Sequence, residues 1–336
     1  MATSLPNPAS LLPADIVTKN KLLIANHTSE IFSSDSTGGC GRIADVIVYC
    51  TGDTCIFWEH DPINVPDHKK VFKFLLRLEE YIRLGMTVMD YDPRTLPPIR
   101  QYTGLDGITR KMVIELNNEL CAGYGGASHN GQPWVATPKF GFWFSYDTIN
   151  KIKPLMHQVF FYELGRSLYD ITLDDILDWQ MQNPSEWGYW TLGFNGAMTV
   201  LAPERMGVEL EYFGQNTLRF RQDRLRDLAT YIGSTKYTFN NTWCSYLLPW
   251  NSNQSINDVM SGLLIYLSDT YGGLPFLTRL FINLKKQPPT PHKTDRQLRA
   301  TNLYKATHQS ALDLYDTTVA GQIRTYFRTK LRWTFV

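Results

Sequence analysis

The sequence predicts an α+β fold, with a small mixed β half at the N-terminus and a mainly helical half at the C-terminus. The segments Arg42 to Cys50 and Thr54 to Glu59 alternate in polarity and are rich in β-branched residues, as the two strands of a hairpin are. Residues 87–150 are rich in Gly and Pro, and from Pro154 onward apolar residues recur at helical spacing. Strands followed by helices indicate an α+β arrangement.

Chain length bounds the number of domains. A chain of 336 residues fits one large domain or two ordinary ones, because a single hydrophobic core stops growing at about 250–300 residues. We expect three parts: an extended N-terminal arm at 1–40, a mixed α/β subdomain at 41–150, and a mainly helical subdomain at 151–336.

Caps and breakers define the individual elements. A helix is predicted from its N-cap Asp67 to a stop at Gly85, and strands at Thr87–Tyr91 and Met112–Leu116. The helices predicted for the second half span 154–169, 172–182, 189–202, 217–232, 255–272, 275–286, 295–316 and 319–331, with Pro203, Gly233 and Gly273 as breakers.

Composition and charge favour a globular protein without a strongly charged partner. Hydrophobic residues make up 43% of the chain, charged residues 19%, and the net charge is +1, so no global field favours nucleic acid. We expect no membrane insertion and a soluble, cytoplasmic protein, because neither a long apolar run nor a signal peptide is visible. From Arg279 to the C-terminus, however, eleven Lys or Arg face three Asp. Either the rest of the chain or a second copy neutralises this surplus.

Cysteine and sequon positions bear on the compartment. The five cysteines contain no C-x-x-C pair, which argues against a zinc ribbon. Cys50 and Cys55 bracket a turn and would form a disulfide in an oxidising compartment. Glycosylation sequons stand at Asn26, Asn240 and Asn253.

The run F-F-Y-E-L-G-R at 160–166 differs from a zinc-binding H-E-x-x-H helix at two positions. In H-E-x-x-H two histidines four residues apart hold zinc, and the glutamate between them is the general base. Here Tyr162 and Arg166 take the histidine positions, and Glu163 is retained. The alternative is an ordinary helix, in which Glu163 and Arg166 form an i,i+3 pair worth about 0.2–0.5 kcal/mol.

Together with the run W-T-L-G-F-N-G-A-M at 190–198, this stretch resembles the gluzincin-type metallopeptidases of the zincin class. In that family an N-E-G-F-A-like run supplies a glutamate as the third zinc ligand, and Leu192 stands at that position here. The resemblance covers roughly residues 154–202 and implies a zincin-like fold. In active zincins a strand beside the site binds the substrate backbone, and the segment from Tyr124 to Gly131, within the loop at 122–131, would be its remnant. A plain cluster of turns is the favoured interpretation of this loop.

The residues at the three ligand positions predict the loss of the metal. Tyr162, Arg166 and Leu192 are not zinc ligands, because zinc takes His, Cys or carboxylate donors, so we expect no metal and no other cofactor. Glu186 would retain one carboxylate in an alternative alignment. We expect the Arg166 guanidinium to occupy the former metal position, held by Glu163 and Glu186.

These observations predict a pseudoenzyme: a non-catalytic, metallopeptidase-like protein with a structural, self-assembling or binding role. The apolar segment Leu331–Val336 favours a homo-oligomer. Two alternatives remain. One is a metal-independent hydrolase with Glu163 as general base, and the other is a secreted protein that binds carbohydrate or a cell surface.

Overall fold

The protein forms two compact units in a computed structural model. The structure describes residues 4–32, 41–60, 65–92, 101–117, 126–127, 139–141, 156–158, 161–162, 164–165, 189–212, 215–245, 247–289 and 296–336. The first unit comprises Met1–Arg83, Asp92–Ser167 and Val208–Gly214, and the second comprises Leu84–Tyr91, Leu168–Gly207 and Gln215–Val336. The mixed α+β class is confirmed, whereas the three-part division of the chain stays a prediction.

The first unit is built on a six-stranded sheet. Its helices are α1 (Pro8–Leu11), α2 (Ala14–Asn20) and the part of α3 (His68–Met89) up to Arg83; the rest of α3 belongs to the second unit. Its strands are β1 (Leu23–Phe32), β2 (Gly41–Cys50), β3 (Thr54–Glu59), β4 (Tyr102–Thr103), β5 (Thr109–Arg110), β6 (Met112–Asn117), β7 (Gly126–Ala127), β8 (Lys139–Gly141), β9 (Met156–His157) and β10 (Leu210–Tyr212). The strand order in the sheet is β1-β2-β3-β6-β8-β7. β1, β2 and β3 pair antiparallel, β3, β6 and β8 pair parallel, and β7 lies antiparallel to β8 at the edge.

The predicted hairpin is confirmed, and a crossover connection follows it. β2 and β3 pair with Cys50 opposite Cys55, and all six residues of β3 are buried, as expected for a strand inside the sheet. The parallel partners β3 and β6 need a crossover, and α3 lies on that connection. Asp67 caps α3, since its Oδ1 accepts hydrogen bonds from the backbone N–H groups of Lys69 (3.1 Å) and Lys70 (3.2 Å).

The predicted stop at Gly85 is wrong, and with it the strand at Thr87–Tyr91. α3 continues to Met89 and ends at Asp90, which has a left-handed φ of 48°. A glycine inside a helix costs only about 1 kcal/mol. Burial of Val88 and Met89 outweighs that cost, because each buried apolar side chain contributes about 1.5–3 kcal/mol.

The predicted helix start at Pro154 is also wrong. Met156–His157 form β9, which pairs parallel with Leu210–Glu211 of β10. Helical structure begins at Gln158, and the helical residues described after it are 161–162 and 164–165. These residues are called the motif helix below.

The second unit is helical, as predicted for this half of the chain. Its elements are α4 (Tyr189–Met206), β11 (Gln215–Asn216), α5 (Thr217–Gly233), a π-helical turn at Phe239–Trp243, β12 (Leu247–Leu248), β13 (Asn251–Ser255), α6 (Ile256–Thr270), α7 (Leu274–Lys285), α8 (Arg296–Leu314), α9 (Thr317–Thr325) and a second π-helical turn at Tyr326–Lys330. Pro203 lies inside α4 instead of ending it, and Gly207, with a φ of 65°, follows the helix. Gly233 and Gly273 separate helices as predicted.

Glycines set the spacing of α4, α5 and α6. A Cβ on Gly193 would lie 2.4 Å from Met260, and one on Gly196 would lie 2.4 Å from the Ser261 Oγ. A Cβ on Gly262 would lie 2.3 Å from the backbone oxygen of Arg224. The helices therefore pack at a distance that a side chain would prevent.

An aromatic cluster forms the core of the second unit. Trp190, Trp243 and Trp333 are fully buried, and their ring centroids lie 5.1–5.8 Å apart. Tyr231 donates a hydrogen bond from its hydroxyl to the Leu331 carbonyl. Trp333, the largest side chain of the segment 331–336, therefore packs inside its own unit, and the homo-oligomer that this segment favours stays a prediction.

Candidate functional site

The motif helix packs against α3 through one aromatic contact. The Tyr81 hydroxyl donates a 3.0 Å hydrogen bond to the Phe161 carbonyl, and the two rings meet edge to face with centroids 4.7 Å apart. Phe161 and Leu164 are buried, while Tyr162 is only half-buried. Position 162, the first ligand position of the resemblance, thus lies on the more open side of the helix.

Several predicted site residues lie outside the described residues. These are Glu163, Arg166 and Glu186, so the ion pair expected among them stays a prediction. Of the loop at 122–131, the structure describes only β7, which is the antiparallel edge strand of the sheet.

Leu192, at the third ligand position, is half-buried on α4. Its neighbours Gly193 and Gly196 have a packing role, because they let α6 approach α4. The glycines on which the family resemblance partly depends are therefore accounted for by helix packing alone. Within the described part of the chain, no group of three or more His, Cys, Asp or Glu residues is placed to hold a metal ion.

A pair of thiols lies beside the tight turn between β2 and β3. The backbone N–H of Thr51 donates to the Thr54 carbonyl at 2.9 Å, so Cys50 and Cys55 occupy the next, non-hydrogen-bonded pair, where side chains approach most closely. Their Sγ atoms are 3.1 Å apart, and both residues are fully buried. Burial and the neighbouring Cys50 raise the pKa of the Cys55 thiol. The Cys55 thiol is therefore protonated and weakly nucleophilic in the folded protein.

A fully buried arginine fixes the turn that carries these thiols. Arg110 makes a bidentate contact with the Asp106 carboxylate (2.7 and 2.6 Å) and donates from Nε to the Thr51 carbonyl (2.6 Å). The hydrogen bond from Arg110 lowers the pKa of Asp106. Sequence reasoning missed this contact. Its only local signal is that Asp106 stands four residues before Arg110, with Gly107, whose φ is 73°, between them.

A second polar cluster surrounds Asp227 on α5. Asp227 is 2% exposed, and its Oδ2 accepts a 2.9 Å hydrogen bond from Gln254, which in turn accepts one from Asn251 at 2.7 Å. Burial, and next the charge of Asp258, raise the pKa of Asp227 to about 6. The charge of Arg226 lowers the pKa of Asp227 and partly offsets this rise.

The Asp227 cluster can take part in proton transfer, because a carboxyl group with a pKa of about 6 can donate or accept a proton near neutral pH. Sequence reasoning missed it. A signal was available, because Asp227 lies seven residues after Phe220 and four before Tyr231, on the buried face of α5. An acid on an apolar helical stripe predicts a hydrogen-bonded carboxyl.

No protein-family model, curated protein or solved structure matches the chain. Within the described ranges, no helix is long and apolar enough to cross a membrane. The family resemblance therefore depends on the two sequence runs alone.

Proposed function

We propose that the chain is a non-catalytic, zincin-like protein that acts by binding or by self-assembly instead of proteolysis. The observation that carries the proposal is the identity of the side chains at two of the ligand positions, Tyr162 and Leu192. Neither a phenol nor an isobutyl group belongs to the donor types that zinc takes.

The order of elements in the first unit supports a peptide as the bound partner. The edge strand β7 precedes β8, and the motif helix follows both along the chain. In active zincins a strand beside the site binds the substrate backbone. An edge strand offers backbone N–H and C=O groups to an extended peptide, so strand addition at β7 needs no metal.

Restoring the donors tests the zincin-like part of the proposal. The triple variant Tyr162→His, Arg166→His, Leu192→Glu should bind one zinc per chain, measured by native mass spectrometry before and after a chelator. The wild type and the single variant Tyr162→His should bind none stoichiometrically. A correctly folded triple variant that binds no zinc would contradict the zincin-like fold. Stoichiometric zinc in the wild type would contradict the proposal that the metal site has been lost.

Native mass spectrometry of the wild type also separates the two roles. A higher oligomer supports self-assembly. A monomer that retains peptides from a random library supports binding, and β7 should then become protected from hydrogen exchange. A monomer that retains no peptide would contradict the binding role.

A second candidate, an extracellular binding protein, is favoured by one set of observations. The sequon residues Asn26, Asn240 and Asn253 are all exposed, and Cys50 and Cys55 face each other across two strands. Expression through a secretory pathway should then add glycans that Asn→Gln variants lose one by one. An unmodified secreted product would rule this candidate out. The hydrolase alternative stays a prediction, since Glu163 is outside the described residues.

A further inference from the structure

The basic surplus of the C-terminal segment is only partly neutralised within the second unit. Arg279 lies 3.8 Å from Asp313, and Lys285 lies 3.8 Å from Asp90 and donates to the carbonyls of Met89 and Asp90. These pairs involve residues at the beginning of the surplus. The basic side chains Arg324 on α9 and Arg328 on the π-helical turn after α9 lie instead near aromatic side chains of α8.

Four side chains, two from α8, one from α9 and one from the π-helical turn after α9, lie on one surface. Tyr304 and His308, one turn apart on α8, have ring centroids 5.6 Å apart, and Tyr304 also contacts Phe327 at 5.5 Å. This contact brings the π-helical turn, with Arg328, against α8. Burial and the charge of Arg324 lower the pKa of His308. Burial raises the pKa of Tyr304, and the charges of Arg324 and Arg328 oppose that rise.

The four side chains make no hydrogen bond or ion pair with the described part of the chain. Arg324 and Arg328 are exposed, Tyr304 and His308 are half-buried, and none of the four has a hydrogen bond or an ion pair there. Two guanidinium groups beside a phenol and an imidazole repel each other and attract an anion, and no carboxylate of the described residues pairs with either guanidinium.

The carboxylates of 296–336 are already used elsewhere. Asp313 accepts hydrogen bonds from Asn283 (2.9 Å) and Gln309 (2.7 Å). Asp316 caps α9 by accepting from the backbone N–H groups of Thr318 and Val319. Both acids lie where α8 turns into α9, away from the middle of the two helices, so the charges are segregated.

The π-helical turn holds Arg328 in place. The Leu331 N–H donates to the Tyr326 carbonyl at 3.1 Å, and the Trp333 N–H donates to the Phe327 carbonyl at 3.0 Å. The widened turn is fixed because Trp333 is anchored in the core. Widened turns of this kind occur frequently at functional sites.

We propose that Tyr304, His308, Arg324 and Arg328 form a binding site for a phosphate group, carried by a small phosphate ester or by a lipid headgroup. Guanidinium groups bind phosphate oxygens through paired N–H donors. The phenol and the imidazole supply two more donors, and the dianion neutralises the two arginines. The site is independent of the proposed function, because none of its four residues lies on the motif helix, on β7 or on α4.

Titration with inorganic phosphate at constant ionic strength tests the site, with the His308 ring followed by NMR in the full chain. Bound phosphate should raise the pKa of His308, because a nearby anion stabilises the imidazolium. Arg324→Gln and Arg328→Gln should each weaken binding at least tenfold, and Tyr304→Phe should weaken it less. Lys305→Gln is the matched control: it removes one charge from α8 at a neighbouring, exposed position and should leave affinity within twofold.

Two further arms identify the source of the phosphate. A soluble phosphate monoester that binds more tightly than inorganic phosphate indicates a small ligand. Sedimentation with vesicles containing phosphatidylinositol phosphate, but not with phosphatidylcholine vesicles, indicates a headgroup, and Arg324→Gln should abolish it. Failure of all three probes would overturn the proposal, as would a loss in Lys305→Gln equal to that in Arg324→Gln, because a diffuse field would then explain the binding.

Discussion

Asp227→Asn should stabilise the protein at pH 8 and have little effect at pH 4. The change keeps the shape of the side chain and an oxygen that accepts from Gln254, and it removes the ionisation. Because burial raises the pKa of Asp227, the native state holds the proton more tightly than the unfolded chain does. Its contribution to stability is present below the unfolded pKa and is lost as pH rises through the folded pKa.

The magnitude follows from the two pKa values, 3.8 unfolded and about 6 folded. At about 1.36 kcal/mol per unit, ionising Asp227 costs about 3 kcal/mol at pH 8 and only about 0.5 kcal/mol at pH 4. The stability gain of Asp227→Asn over wild type should therefore be about 2 to 3 kcal/mol larger at pH 8 than at pH 4.

Urea unfolding of both proteins at pH 4, 6 and 8 measures this difference. Asp223→Asn is the control on the same helix, since Asp223 pairs with Arg219 (3.3 Å) and Arg226 (2.9 Å). Loss of these pairs should destabilise the protein by about 0.2–1 kcal/mol, the opposite sign. A pH-independent difference between Asp227→Asn and wild type would refute the reasoning.

Three more predictions concern packing, the thiol pair and the buried arginine. Gly262→Ala should lower the free energy of unfolding by about 1–3 kcal/mol, because its Cβ meets the Arg224 backbone; Gly321→Ala on α9, with open space around it, should raise it by up to about 1 kcal/mol. Glutathione disulfide, added during refolding, should take two electrons and two protons from Cys50 and Cys55 and stabilise the protein by about 2 kcal/mol. The mass should fall by two hydrogens, which Cys50→Ala prevents; unchanged wild-type mass would contradict the cross-strand pairing. Arg110→Met should destabilise the protein by about 1–3 kcal/mol, since it leaves the buried Thr51 carbonyl without the hydrogen bond from Arg110; a loss of under about 0.5 kcal/mol would show that the contact is unimportant.

Local patterns predicted most helices and the β2–β3 hairpin, because their signals are periodic and their ends are capped. Asp67 caps α3 as its position suggests, and Gly233 ends α5. Gly85 misled the prediction, since it weakens α3 locally while burial of Val88 and Met89 holds the following turn in the helix. Pro203 misled it as well, because α4 continues past this residue to Met206. β9 was missed because its partner β10 is distant in sequence.

The candidate sites were less predictable than the fold. Arg110 meets the Thr51 carbonyl, and Asp227 meets Gln254, through tertiary packing that no short motif encodes. The motif helix was identified from its sequence, whereas its contact with α3 depends on Tyr81, which belongs to no sequence motif. A site of side chains from separate elements becomes visible only when those elements have packed.

The burial of Trp333 has a consequence for synthesis. Trp190 and Trp243 contact a ring that the ribosome adds much later. While the chain is being made, domains tend to fold as units once they have emerged. The second unit therefore cannot complete its core until Trp333 has left the exit tunnel. Until then its helices expose two indoles, so a ribosome stalled before that codon would display a surface that chaperones recognise.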